Sequence, residues 1–153
     1  MKPQIIIGCC GWGYFRERDF SKLIKCKFRS KLQAYAQIFE SVEVNSTFYR
    51  IPKPTTADKW RREADEINKE FEFSVKASKV ITHLDRFASR SSVDAFSQML
   101  DICAGLRANV LLLQSPESFQ PTPENVKRLE KFFLSINPVS GTYRANLVVQ
   151  LNG

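Results

Sequence analysis

Residues 42–45 and 72–76 carry, at alternate positions, a carboxylate (Glu43), an amide (Asn45), a hydroxyl (Ser74) and an ammonium (Lys76). Strand side chains alternate between faces, so Val42 and Val44 oppose Glu43 and Asn45, and Phe73 and Val75 oppose Ser74 and Lys76. Two strands of this kind aim polar groups into a common space. Burying such groups unpaired is costly, so they either pair with one another or meet a ligand. Glu43 has the chemistry of a general base or ligand anchor. Lys76 has that of a phosphate contact, an electrophile or, with a lowered pKa, a nucleophile. An ion pair between Glu43 and Lys76 on neighbouring strands would account for both residues without a ligand.

Further reactive types follow these segments. Thr47, Tyr49 and Arg50 put a hydroxyl, a phenol and a guanidinium in a span short enough to grip a phosphate or carboxylate, although Phe48 and Tyr49 equally suit a core. His83, the single histidine of the chain, follows residues 72–76 in a loop where side chains approach a site, or where a histidine simply holds the loop by hydrogen bonds. Residues 8–14 contain Gly11 and Trp12 in a run whose glycines let backbone approach a ligand and whose aromatics, Trp12 and Tyr14, would form a stacking wall. This run is not a dinucleotide fingerprint, because the third glycine is missing at the required spacing. Gln114 ends an oily segment and adds an amide to the same rim, or merely terminates its strand. No Ser-His-Asp order, Walker loop or paired-carboxylate spacing is present, and no motif names a cofactor.

The positioning elements are short apolar runs alternating with helical patterns. Strands are expected at residues 5–9, 42–45, 72–76, 110–114 and 147–151. Leu32, Tyr35, Ala36 and Phe39 form a helical stripe behind Ser30 and Gln33, which have capping-box spacing. Trp60, Ala64 and Ile67 mark a second helix after Pro52 and Pro54, with Thr55 or Thr56 as its cap. Val93, Phe96, Leu100 and Cys103 mark a third, with Ser91 and Asp94 as capping box and Gly105 as its end. The fourth opens on Thr122 and Pro123, buries Val126, Leu129, Phe133 and Ile136, and stops at Asn137 and Pro138.

Strand, helix, strand repetition demands parallel strands with right-handed crossovers, hence a doubly wound sheet or a TIM-type β/α barrel. Inward polar residues favour the barrel, whose lumen tolerates them near the carboxyl ends where sites are built. The fold class expected is therefore α/β, a parallel β/α barrel, as one domain over residues 1–153. A complete barrel has eight βα units in about 250 residues, and this chain supplies about four and a half. An unpaired parallel edge is a liability, so the chain is a fragment, or a partner completes the sheet by association, or the architecture is open.

Composition sets the remaining bounds. With 43% apolar and 25% charged residues the chain is of ordinary globular type, which excludes disordered and collagen-like classes. No apolar run approaches the roughly 20 residues of a spanning helix and the start is too short for a signal sequence, so a cytoplasmic protein without membrane partners is expected. Cys9, Cys10, Cys26 and Cys103 lack metal-ligand spacing, and reduced thiols with no metal site are expected. The net charge of +7 is concentrated in residues 16–31, where Phe20 and Phe28, with Phe15 just before, interleave with Lys and Arg. That stretch suggests nucleic acid as an alternative partner to a small anionic ligand; its plainer reading is a solvated loop leading into a helix.

Several segments together resemble the YecE-like family, domain of unknown function 72. They are Ile7-Gly8-Cys9-Cys10-Gly11-Trp12-Gly13-Tyr14, Tyr35-Ala36 with Phe39, Val42-Glu43-Val44-Asn45-Ser46-Thr47-Phe48-Tyr49-Arg50, and Val75-Lys76-Ala77 with Ile81-Thr82-His83. The resemblance implies a TIM-type barrel of which this chain is roughly the first three fifths. It also implies that later strands add polar and aromatic residues to the same mouth. Cys9 and Cys10 replace the small or hydroxyl residues expected there. The family has no established activity, so the resemblance implies a pocket and not a reaction.

Overall fold

The computed structural model describes residues 5–136 and 145–150. Its strands are β1 (Gly8–Cys10), β2 (Ser41–Val44), β3 (Glu72–Lys76), β4 (Val110–Gln114) and β5 (Asn146–Gln150), and they form one sheet in the order β1-β2-β3-β4-β5. Every neighbouring pair is parallel. Parallel neighbours need crossovers, and these are supplied by α1 (Lys31–Tyr35), a four-residue turn α2 (Ser46–Tyr49), α3 (Pro54–Asp65), α4 (Arg90–Leu106) and α5 (Pro123–Ile136). The sheet is open, with β1 and β5 at its edges.

Alternation sorts the sheet as expected. Val42, Val44, Phe73, Val75, Leu111 and Leu113 are buried and merge with Leu32 and Tyr35 of α1 and Phe96, Met99, Ile102 and Leu106 of α4. Each such side chain contributes about 1.5–3 kcal/mol of burial. On the opposite face, Glu43, Ser74, Lys76, Leu112 and Gln114 are only half-buried.

Local chemistry moves several boundaries. The first strand is Gly8–Cys10, not residues 5–9; Ile5, Ile6 and Ile7 lie before it and are exposed. Pairing starts where β2 offers a partner, Gly8 opposite Ser41. A Cβ at Gly8 would come within 2.3 Å of the Ser41 carbonyl oxygen, so the close approach of β1 to β2 requires glycine. Asn45 leaves β2 and begins α2. Of the last expected strand, Leu151 lies outside the described residues, as do Asn137 and Pro138.

The caps are partly as expected. The Ser30 hydroxyl accepts from Gln33 N at 3.2 Å, but the Gln33 amide accepts from Arg29 N at 2.7 Å, one residue beyond a capping box. Thr122 caps α5 by accepting from Asn125 N at 3.3 Å. On α5 it is Phe132 and Ile136 that are buried, with Leu129 and Phe133 at the margin and Val126 exposed. Neither Thr55 nor Thr56 caps α3: Lys53 holds that position and Pro54, whose fixed φ suits a first helical residue, starts the helix earlier.

For α4 the cap residue is Ser89, not Ser91. The Ser89, Ser91 and Ser92 hydroxyls all donate to the Asp85 carboxylate, and Asp94 pairs with Arg90 at 2.9 Å. Gly105 does not end α4; it lies inside it, against α3, and Arg107 closes the helix in a left-handed conformation (φ 53°). Arg61 knits α3 to β3, donating to the Phe71 carbonyl at 2.8 Å and to Asp65 at 2.6 Å while lying 5.0 Å over the Phe73 ring. Among the described residues no helix is long and apolar enough to cross a membrane.

Candidate functional site

Beyond the carboxyl ends of β1 and β2 lies a cleft of about 440 Å³, lined by Cys10, Gly11, Trp12, Gly13, Tyr14, Asn45, Ser46 and Tyr49. One wall is the run after β1. Gly11 takes φ +86°, open to glycine without strain, and this turn carries the chain into Trp12. Trp12 meets Trp60 of α3 edge-on, ring centroids 5.2 Å apart, so its orientation is held from behind. Tyr14 is fully exposed at the rim.

The other wall is α2, whose short turn separates its residues by role. Ser46 and Tyr49 face the cleft, while Thr47 is wholly buried. The Thr47 hydroxyl lies 2.6 Å from the Val44 carbonyl and 2.7 Å from the Lys76 carbonyl, so it clasps α2 onto both β2 and β3. A hydroxyl so engaged in backbone bonds is a structural tie, which removes Thr47 from the ligand-facing set.

Phe48 faces away from the cleft toward β3. Its ring stands edge-on to Tyr49 (5.0 Å) and to His83 (4.8 Å), and the Lys76 ammonium lies 5.2 Å over it. His83 belongs to a π-helical turn, Val80–Leu84, and its Nδ1 lies 2.8 Å from the hydroxyl of buried Thr82. Burial first, then the positive charges of Lys76 and Arg86, holds the imidazole pKa below its ordinary value, so the ring is neutral at pH 7. After this turn Arg86 and Phe87 both take positive φ, and Arg86 reaches Ser118 at 3.1 Å.

Glu43 and Lys76 lie on the same face of the sheet, as strand alternation predicts. They do not form the ion pair considered above: register sets Glu43 beside Cys10 and Ser74, one pleat before Lys76, and the ammonium turns to Phe48. Among the described residues Glu43 has no side-chain partner. Gly11, Trp12, Asn45 and Tyr49 are thus brought together in the cleft, whereas Glu43, Lys76 and His83 are not part of its lining and the latter two meet at the Phe48 ring. Arg50 is exposed and Gln114 sits at the end of β4 opposite Gln150; neither lines the cleft. Cys10, Ser46 and Phe48 were not foreseen as site residues. The first is set opposite Glu43 by the register of β1 on β2, which sequence patterns do not carry, and the other two depend on a turn too short for periodicity to reveal.

The basic stretch keeps Lys22, Lys25, Lys27, Arg29 and Lys31 exposed, but Phe15 stacks on Phe20 at 5.0 Å and both pack inward. Only Phe28 of the interleaved aromatics remains exposed for stacking. No cluster of metal-ligating side chains occurs among the described residues.

A family model described as "Protein of unknown function DUF72" matches residues 6–143. The UPF0759 protein YunF of Bacillus subtilis is 35% identical over 134 residues, covering 82% of this chain and 45% of that protein. A DUF72 family protein of Enterococcus faecalis has a similar fold, with TM-score 0.70 and 23% identity over 97% of this chain and 50% of the other. One from Thermotoga maritima gives TM-score 0.63 and 24% identity over 95% and 55%. The chain therefore spans about half the length of these relatives.

Proposed function

The chain belongs to the DUF72 family, and from that premise we propose that its sheet is an arc of a TIM-type β/α barrel whose mouth binds a small anionic, phosphorylated or sugar-like ligand. The barrel reading is supported by strand order, which runs from β1 to β5 without the reversal that marks a doubly wound sheet. It also places the cleft at the carboxyl ends of the strands, where barrels build their sites.

One observation carries the ligand reading: an aromatic-walled cleft with Asn45 and Ser46 at its side, backed across a single phenylalanine ring by Lys76 and a neutral His83. Trp12 and Tyr49 offer faces to a sugar or other flat ring, Asn45 and Ser46 orient its polar groups, and Lys76, outside the lining, adds a positive charge at longer range that favours an anionic substituent. Neutral His83 and unpaired Glu43 are the groups able to accept a proton. Calorimetric titration of the 153-residue protein with glucose 6-phosphate, glucose and inorganic phosphate tests this. Binding of the phosphorylated sugar is expected, weakened by up to about tenfold in Lys76→Met through loss of a positive charge outside the lining, with the melting temperature unchanged. Absence of binding to all three probes, or variants that only lose stability, would refute it.

A further inference from the structure

We infer that Phe48 is a positioning residue of this site, its ring holding the Lys76 ammonium and the His83 imidazole in one arrangement. The inference rests on the ligand reading above for its meaning, but not for its test. Phe48 belongs neither to the buried apolar cluster nor to the half-buried residues packed against it. Core filling therefore does not explain a phenylalanine here. Its neighbours are instead Tyr49, His83 and Lys76, groups from α2, the π-helical turn and β3.

The geometry is one that an aromatic ring provides and an aliphatic side chain does not. A cation is attracted to the negative face of the ring, and a second ring is favoured edge-on; the interplanar angle with His83 is 84°. The backbone beneath is fixed, because buried Thr47 ties α2 to the carbonyl of Lys76 itself. Lys76 is thus held twice from α2, through its carbonyl by Thr47 and through its ammonium by Phe48. The charged groups that face His83 are Lys76 from β3 and Arg86 from its own loop.

His83 is the only histidine of the chain, so its ring-proton resonances report on the arrangement without ambiguity. In Phe48→Leu, Lys76 is released and water reaches the imidazole, and the His83 pKa is expected to rise toward the ordinary value. Phe48→Tyr keeps the ring and should titrate as wild type does. Lys76→Met should also raise the pKa, and adding Phe48→Leu to it should then have less effect than Phe48→Leu alone. In the wild-type protein the ε-methylene protons of Lys76 should be shifted upfield by the Phe48 ring current, a reading that needs no variant and decides the matter if Phe48→Leu does not fold. Unshifted ε-methylene protons, or equal titrations in wild type and folded Phe48→Leu, would overturn the inference. Shifted protons without binding of glucose 6-phosphate would uphold the positioning role and remove only the ligand reading.

Discussion

His83 makes the site pH-sensitive in a defined direction. Its folded pKa lies below the ordinary 6.5, with burial the largest cause. The unfolded chain therefore takes up the proton first as pH falls, so stability is undiminished above about 6.5 and declines between that value and the folded pKa. We expect the thermal midpoint to drop across this window, and His83→Gln to flatten it. Asp85 acts in a separate, lower window: the Ser89 and Ser91 hydroxyls hold its pKa below 3.8, so its contribution is present above that value and lost as pH falls through the folded one. A midpoint that falls equally in His83→Gln would sink the assignment. At single positions, the facing of Glu43 and Lys76 was legible because strand alternation is local. The fate of Thr47 was not, because the hydroxyl's partner is a carbonyl 29 residues away.

Helix starts followed the sequence reading where a side chain acts on its own turn, as Ser30 and Thr122 do, but not at α3, which Pro54 starts before the expected Thr55 or Thr56 cap. Helix ends followed packing. Gly105 resembles a terminator in sequence, yet it serves contact between α3 and α4: an added Cβ would lie 3.1 Å from the Ala57 Cβ and 2.8 Å from an Asp58 carboxylate oxygen. The exposed Asp58 side chain can swing aside, whereas Ala57 is buried and can yield only slightly. Gly105→Ala therefore sets a helix-propensity gain of about 1 kcal/mol against a small displacement, and near-neutral stability is expected. Gly105→Val, with two more carbons and β-branching, should destabilise by about 1–3 kcal/mol in urea unfolding. A Val variant as stable as wild type would show that α3 and α4 are not in close register there. The turn α2 escaped sequence reading for a different reason, since four residues are too few to display a helical period.

Among the described residues both sheet edges are unpaired and the residues of β5 are exposed, Leu147 and Val149 by 38% and 37%, the mark of a surface that other strands or helices would cover. We propose that the 153-residue chain self-associates through the exposed residues of β5. Sedimentation velocity should show mass rising with concentration, and Leu147→Lys with Val149→Lys should shift it toward monomer; a concentration-independent monomer would count against this. Local patterns were enough to define an α/β chain of parallel strands with polar groups on one face, because alternation and helical period express which side of an element meets the core. They were not enough to show that Glu43 and Lys76 stay apart, that Phe48 sits between the latter and His83, or that Arg50 and Gln114 do not line the cleft. Those relations depend on strand register and on one short turn, both set by contacts between residues far apart along the chain.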